Sequence, residues 1–194
     1  MAPAKAVKPF SEPSERNRAP ILAVLKRVLA NSKSVLEIGS GTGQHAAYFA
    51  PELPHLVWRA SDREENLADI RQWVANPIEL DVDKPFPKVD VDAVFTANTC
   101  HIMSWPQVER MFAGVSGMRP VNLFCIYGPF NYDGKHTSES NARFDAMLRG
   151  RDAASGIRDA EAIVALAAKS GFRLAEDNAM PANNRLLVFS RERL

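Results

Sequence analysis

The sequence predicts a single α/β domain, a seven-stranded and mostly parallel sheet with helices on both faces and a C-terminal antiparallel hairpin. Three observations predict it. Val35-Leu36-Glu37-Ile38, Gly39-Ser40-Gly41-Thr42-Gly43 and Gln44 to Phe49 read in turn as a buried strand, a tight glycine turn and a helix. Val91 to Ala97 and Val121 to Tyr127 are apolar runs, the pattern of strands covered on both faces. Phe172 to Met180 and Arg185 to Ser190 are joined only by Pro181-Ala182-Asn183-Asn184, which is too short for a helical crossover and suits a hairpin at a sheet edge.

The remaining elements fall between these. Residues 1–19 read as a proline-containing arm with little apolar material, and Ile21, Leu22, Leu25, Val28 and Leu29 repeat at helical spacing after Pro20. Pro51 and Pro54 stop the helix that follows the glycine turn. Leu56 to Ala60 is a second strand ending at Ser61-Asp62, and Leu67, Ile70 and Val74 mark the next helix. Ile78 to Leu80 is a brief third strand ending at Asp81-Val82. A helix over about 105–113 leads to the fifth strand. Residues 128–158, with Gly128-Pro129, Phe130, Tyr132 and a short helix carrying Phe144, Met147 and Leu148, read as a shaped loop and lid. Asp159 starts a helix with Ile163, Val164 and Ala167 on its buried face, and Gly171 ends it.

At 194 residues the chain has room for one well-cored domain. Lys and Arg number 24 against 23 Asp and Glu, so no overall field favours nucleic acid or an anionic membrane. The first eighteen residues lack an apolar core, and no later stretch is long enough to span a bilayer, so the expectation is a cytoplasmic protein. Cys100 and Cys125 read as small core hydrophobes in a reducing compartment. No metal site is expected. Asp81-x-Asp83 begins like a calcium loop, but Pro85 and the missing glycine make that improbable.

Glu37 favours one of two ligands for the glycine turn. A pyrophosphate wants backbone N–H groups and a helix N-terminus. A carboxylate two residues before the first glycine repels that ligand and attracts a cation, and S-adenosylmethionine carries an ammonium and a sulfonium. Gly41-Thr42-Gly43-Gln44-His45-Ala46 does satisfy the relaxed dinucleotide form Gly-x-Gly-x-x-Ala, a weak match by itself. A nicotinamide dehydrogenase is further disfavoured because no second domain fits and Tyr132 and Lys135 are one residue too close for a Tyr-x-x-x-Lys pair. Asp62 stands about twenty residues past the glycine turn, where an acid binds ribose hydroxyls, and its competing reading is a helix N-cap. Asp81 is placed to accept from an adenine amino group, with Val82 packed on the ring. His101, delivered by the fourth strand beside Asn98, is the candidate general base, against a purely structural reading. Arg149, Arg151 and Arg158 bracket a loop able to take an anionic acceptor, unless they are merely solvated.

The layout resembles that of class I S-adenosylmethionine-dependent methyltransferases, a Rossmann-like fold. More narrowly, the chain resembles a small methyltransferase-like family known as a conserved domain of unknown function. The resemblance runs through Glu15-Arg16-Asn17, Gly41-x-Gly43-Gln44-His45, Leu80-Asp81-Val82, Asn98-x-x-His101 and Tyr127-Gly128-Pro129. It continues through Gly134-Lys135, Ser140-Asn141-x-x-Phe144-Asp145, Gly156-Ile157-Arg158-Asp159 and Met180-Pro181-Ala182-Asn183-Asn184. Cys100 stands outside this pattern. The resemblance implies S-adenosylmethionine as methyl donor, held by Glu37, Gly39, Ser40, Gly41, Thr42, Gly43, Asp62, Asp81, Val82 and Asn98. His101 or Tyr127 is then expected to touch a small-molecule acceptor, and Arg16, Asn17, Tyr132 and Asn141 to close its pocket. A rival with the same cofactor site is a non-catalytic S-adenosylmethionine-binding module acting through protein partners. The oligomeric state is left open.

Overall fold

A computed structural model describes residues 8–191. In chain order it contains α1 (Glu12–Val28), β1 (Ser34–Ile38), α2 (Gln44–Glu52), β2 (Val57–Asp62), α3 (Leu67–Ile70), β3 (Ile78–Glu79) and β4 (Ala93–Ala97). After these come α4 (Trp105–Gly117), β5 (Leu123–Asn131), α5 (Glu139–Arg151), β6 (Arg158–Asp159), α6 (Ala160–Lys169), β7 (Phe172–Met180) and β8 (Asn184–Arg191). The sheet order is β3-β2-β1-β4-β5-β8-β7. β1 to β5 run parallel, and β8 is antiparallel to both β5 and β7. The order reverses between β1 and β4, and a crevice opens there outside the carboxyl ends of the strands.

Strand parity builds a core on each face of the sheet. Leu36, Ile38, Val94, Phe124, Ile126, Leu187 and Phe189 face α4 and α6, where they meet Val108, Met111, Phe112, Val115, Ile163 and Ala167. The alternate residues Val35, Ala93, Phe95, Cys125, Tyr127, Leu186 and Val188 face Ile21, Leu22 and Leu25 of α1 and Phe49 of α2. Both parities are apolar, which is why the central strands read as unbroken hydrophobic runs. Burying one such side chain is worth about 1.5–3 kcal/mol.

Three expectations are corrected. Residues 12–19, read as part of the N-terminal arm, are the first two turns of α1, while residues 1–7 lie outside the described residues. The start signal was present in the sequence: Ser11 is the N-cap, Pro13 sits in the first turn and Glu12 and Glu15 favour the positive helix end. Pro20 is therefore inside the helix, where it removes one N–H donor. Among the described residues the strand count is eight, because β5 continues through Gly128, Pro129 and Phe130 to Asn131 and pairs there with the two-residue β6. Residues 128–158 are thus a strand end, a turn, the thirteen-residue α5 and β6, instead of a loop with a short lid helix.

The β7–β8 hairpin turns through Ala182 (φ 58°, ψ 37°) and Asn183 (φ 58°). Two successive left-handed residues suit the right-handed twist of the strands, and asparagine tolerates the conformation, but alanine does so at a cost. Ala182→Gly is expected to stabilise the protein by about 1 kcal/mol. Thermal unfolding checks this, and a lower midpoint would show that contacts of the Ala182 methyl outweigh its backbone strain.

Candidate functional site

A cleft of about 1490 Å³ lies at the carboxyl edge of the sheet. It is larger than the roughly 300–1,000 Å³ of an ordinary small-molecule pocket, so a cofactor and an acceptor fit side by side. One wall is the turn after β1. The Gly41 N–H donates to Asp62 Oδ2 (2.7 Å), and the Ser40 N–H donates to the Ser61 carbonyl (3.0 Å). Asp62 Oδ1 also accepts from the Arg63 N–H (2.8 Å) and Asn66 Nδ2 (2.9 Å), but it is not a helix N-cap, since Arg63 caps the turn Glu64–Asn66 and Asn66 caps α3. Gly39, Ser40, Gly41, Thr42 and Asp62 all line the cleft, and Asp81, Val82 and Asn98 form its next wall. No atom of the described residues lies within 4 Å of where a Cβ of Gly41 would stand, which leaves room for a ligand against the turn.

Gly39 fixes how the turns after β1 and β4 fit together. Its φ is 72°, and an added Cβ would stand 2.6 Å from Thr99 Cγ2. Thr99 Oγ1 is itself 2.7 Å from Thr96 Oγ1, which donates to the Ile38 carbonyl (2.8 Å). Gly39→Ala is expected to cost about 2–4 kcal/mol through backbone strain and overpacking together. Denaturant unfolding of Gly39→Ala with and without Thr99→Ser separates the two, since the serine removes only the clashing methyl. No recovery in the double variant would show that strain alone is responsible.

Glu37 and Gly43 do not line the cleft. By parity the Glu37 side chain turns under α2 on the side of Val35 and Phe95. There it is 1 % exposed and accepts from Trp58 Nε1 (2.9 Å). Burial pushes its pKa up to about 7 against the hydrogen bonds from Trp58 and Ser40. The expectation of a direct contact between Glu37 and a cofactor is corrected: the carboxylate is buried behind the turn and does not line the cleft. Gly43 caps α2 with φ 85° and packs on Ile70. His45 lies between Glu37 and α1. Its Nδ1 is 3.9 Å from Glu37 Oε1, its Nε2 is 2.7 Å from Asn17 Oδ1, and burial pushes its pKa down to about 4.

The far half of the cleft is lined by His101, Tyr127, Asn17, Asn141, Phe144 and Asn184. His101 is 5 % exposed and meets Phe144 edge-on at 5.3 Å. Burial, aided by the Arg158 charge, pushes its pKa down to about 4. Its ring nitrogens take no hydrogen bond from the described residues, whereas its carbonyl accepts from the Gly156 N–H (2.9 Å). Arg158 holds the same loop by donating to the carbonyls of Cys100, Met103 and Ala154. Tyr127 is 2 % exposed, and burial pushes the pKa of its hydroxyl up, against the opposing influence of Asn17 and Asn184. Arg16 reaches the rim, mostly exposed and paired with Glu12 (3.2 Å).

Two further expectations are corrected. Tyr132 is outside this cleft: its hydroxyl donates to Asp177 (2.7 Å), and it lines an adjoining cavity of about 610 Å³. The arginines do not form an anion site, because Arg158 is spent on carbonyls, Arg149 donates to Asp145 Oδ2 (2.8 Å), and Arg151 is exposed and lines neither cavity. Cys100 is buried and its thiol is pushed up to about 12, so it is no nucleophile. Sequence reasoning missed Asn184, Ala182 and His45. The first two were hidden as turn residues, and His45 as one more member of a helix. Among the described residues no group of three His, Cys, Asp or Glu side chains could hold a metal, and no helix is long and apolar enough to cross a membrane.

Solved structures share this architecture. The mitomycin 7-O-methyltransferase MmcR superposes with a TM-score of 0.79 at 17 % identity, covering 92 % of this chain and 54 % of its own. An O-methyltransferase family protein from Burkholderia thailandensis gives 0.78 at 16 % identity, covering 90 % and 56 %. The S-adenosylmethionine-dependent methyltransferase SibL gives 0.77 at 20 % identity, covering 93 % and 56 %. The chain thus spans little more than half the length of these proteins, and at such identities the likeness shows the class I methyltransferase fold. Residues 8–191 match one family along nearly the whole chain, and the protein belongs to that family, described as Protein of unknown function (DUF938).

Proposed function

We propose that this protein is an S-adenosylmethionine-dependent methyltransferase acting on a small-molecule acceptor. The observation that carries the reading is a single two-part cleft at the strand-order reversal. Its first part holds the open glycine turn with Asp62, Asp81 and Val82, and its second holds an unpartnered histidine. SibL, with the same fold, is described as S-adenosylmethionine-dependent.

The residues fit the cofactor. Asp62 has lone pairs beyond its three N–H partners for ribose hydroxyls, Asp81 and Val82 suit an adenine edge and face, and Gly41 lets the methionine end approach the backbone. When bound, the sulfonium supplies an already activated methyl group. The chain's own task is to align an acceptor with it and exclude water. His101 takes the proton that leaves the acceptor, while Tyr127 and Asn17 orient the acceptor. Gly156 and Arg158 fix the loop that carries His101.

Calorimetric titration with S-adenosylmethionine, its demethylated product and NAD tests the reading. The first two are expected to bind, and Asp62→Ala to weaken both at least tenfold, the worth of hydrogen bonds to a charged group at about 1.5–3 kcal/mol. Binding of NAD alone would overturn the assignment.

A further inference from the structure

We infer that the acceptor is an uncharged, hydroxyl-bearing molecule that donates a hydrogen bond to Asn141 Oδ1, and that carboxylates and phosphate esters are excluded. The inference rests on the methyltransferase reading and deepens it.

The first argument is the cation inventory around the acceptor half. Arg158 is committed to three carbonyls, Arg149 to Asp145, and Arg185 to Asp177 at 2.7 Å beside the adjoining cavity. Arg16 stands at the solvent rim with its own partner, Glu12. The inner wall carries Asn17, Asn141, Asn184, Tyr127, Phe144 and His101, the last held neutral by burial. An anion drawn into this half would lose its hydration and meet no counter-charge from these side chains, which is strongly unfavourable.

The second argument is polarity. Asn141 is 6 % exposed, and both hydrogens of its Nδ2 are used, toward Thr137 Oγ1 (2.9 Å) and the Asn183 carbonyl (3.2 Å). A backbone carbonyl only accepts, so the orientation of the amide follows from the Asn183 contact. Oδ1 remains as the polar atom of a cleft-lining side chain that takes no hydrogen bond from the described residues. His101 offers a second unfilled acceptor, the lone pair of its neutral ring. Asn141 and His101 both line the cleft, and unfilled acceptors call for a donor, whereas a carboxylate or phosphate oxygen would be repelled by them.

The one O–H proton serves the two groups in turn: it is donated to Asn141 Oδ1 in the bound acceptor and turns to His101 as the reaction proceeds. The oxygen–methyl bond forms as the sulfur–methyl bond breaks, the sulfur keeps the electron pair and becomes a neutral thioether, and the hydroxyl proton passes to His101. The Phe144 ring supplies an apolar wall for the rest of the molecule.

The test is a binding screen on protein loaded with S-adenosylhomocysteine, read by saturation-transfer NMR. The compounds are matched pairs such as methyl 4-hydroxybenzoate and 4-hydroxybenzoate, alike except for charge. Calorimetry with S-adenosylhomocysteine comes first, and failure there removes the methyltransferase reading itself. Given that binding, the uncharged partners are expected to bind at least tenfold tighter and to lose that affinity in Asn141→Leu, with S-adenosylhomocysteine affinity kept as the check on folding. Ser140→Arg places a cation at an exposed position on the cleft and is expected to narrow the gap at least fivefold. Equal or preferred binding of the anions to wild type, or an absence of uncharged binders sensitive to Asn141→Leu, would overturn the inference.

Discussion

Glu37→Gln is expected to make the protein more stable at pH 8 and a poorer binder of S-adenosylmethionine. Burial holds the carboxyl at about 7 against an ordinary 4.5, so the folded state keeps a proton that the unfolded state releases between those values. Folding stability therefore falls as pH rises from about 4.5 to 7 and stays lowered above that. The shift corresponds to roughly 3 kcal/mol at most, and glutamine removes it while still accepting from Trp58 Nε1. The melting point of the variant is expected to match wild type near pH 4.5 and to exceed it by about 6–12 °C at pH 8. A cation arriving in front of the turn favours the ionised carboxylate. Affinity of wild type for S-adenosylmethionine should then rise through pH 7, and Glu37→Gln should lose about tenfold more affinity for it than for S-adenosylhomocysteine, which lacks the sulfonium charge. Equal losses for the two ligands in calorimetry would show that Glu37 only supports the turn through Ser40 and Trp58.

His101→Ala is expected to leave cofactor affinity unchanged and to lower turnover of any accepted substrate by about 10²–10⁴, the usual contribution of a positioned base. A pKa near 4 leaves the imidazole neutral from about pH 5 upward, so wild-type kcat is expected to be level from pH 5 to 8 where His101 governs it. It should fall as pH drops through 4. Rates of methyl transfer measured across that range check both statements. Undiminished turnover in the variant would leave His101 as packing for Phe144.

The elements that position the site were largely legible because their signals are local. Alternating apolar parity, the glycine turn, the acids closing β2 and β3 and the four-residue link between β7 and β8 depend on neighbours in the chain. The same local signals placed Asp62, Asp81, Val82, Asn98 and His101 at one sheet edge, where the structure puts them. The first turns of α1 were legible too, in Ser11, Pro13 and Glu15, but Pro20 resembled a start signal and hid them.

What the sequence by itself determined was therefore the doubly covered sheet and the edge at which the cleft opens. Only tertiary structure decided which polar side chains face that edge. Tyr132 is drawn away by Asp177, 45 residues later, and Arg158 by carbonyls more than 50 residues earlier, partners that no local pattern announces. Glu37 sits beside the glycines in sequence, yet the pleat turns it under α2, where burial raises its pKa instead of exposing its charge. Period and turn chemistry act over a few residues, whereas hydrogen bonding and desolvation answer to whatever the fold brings near.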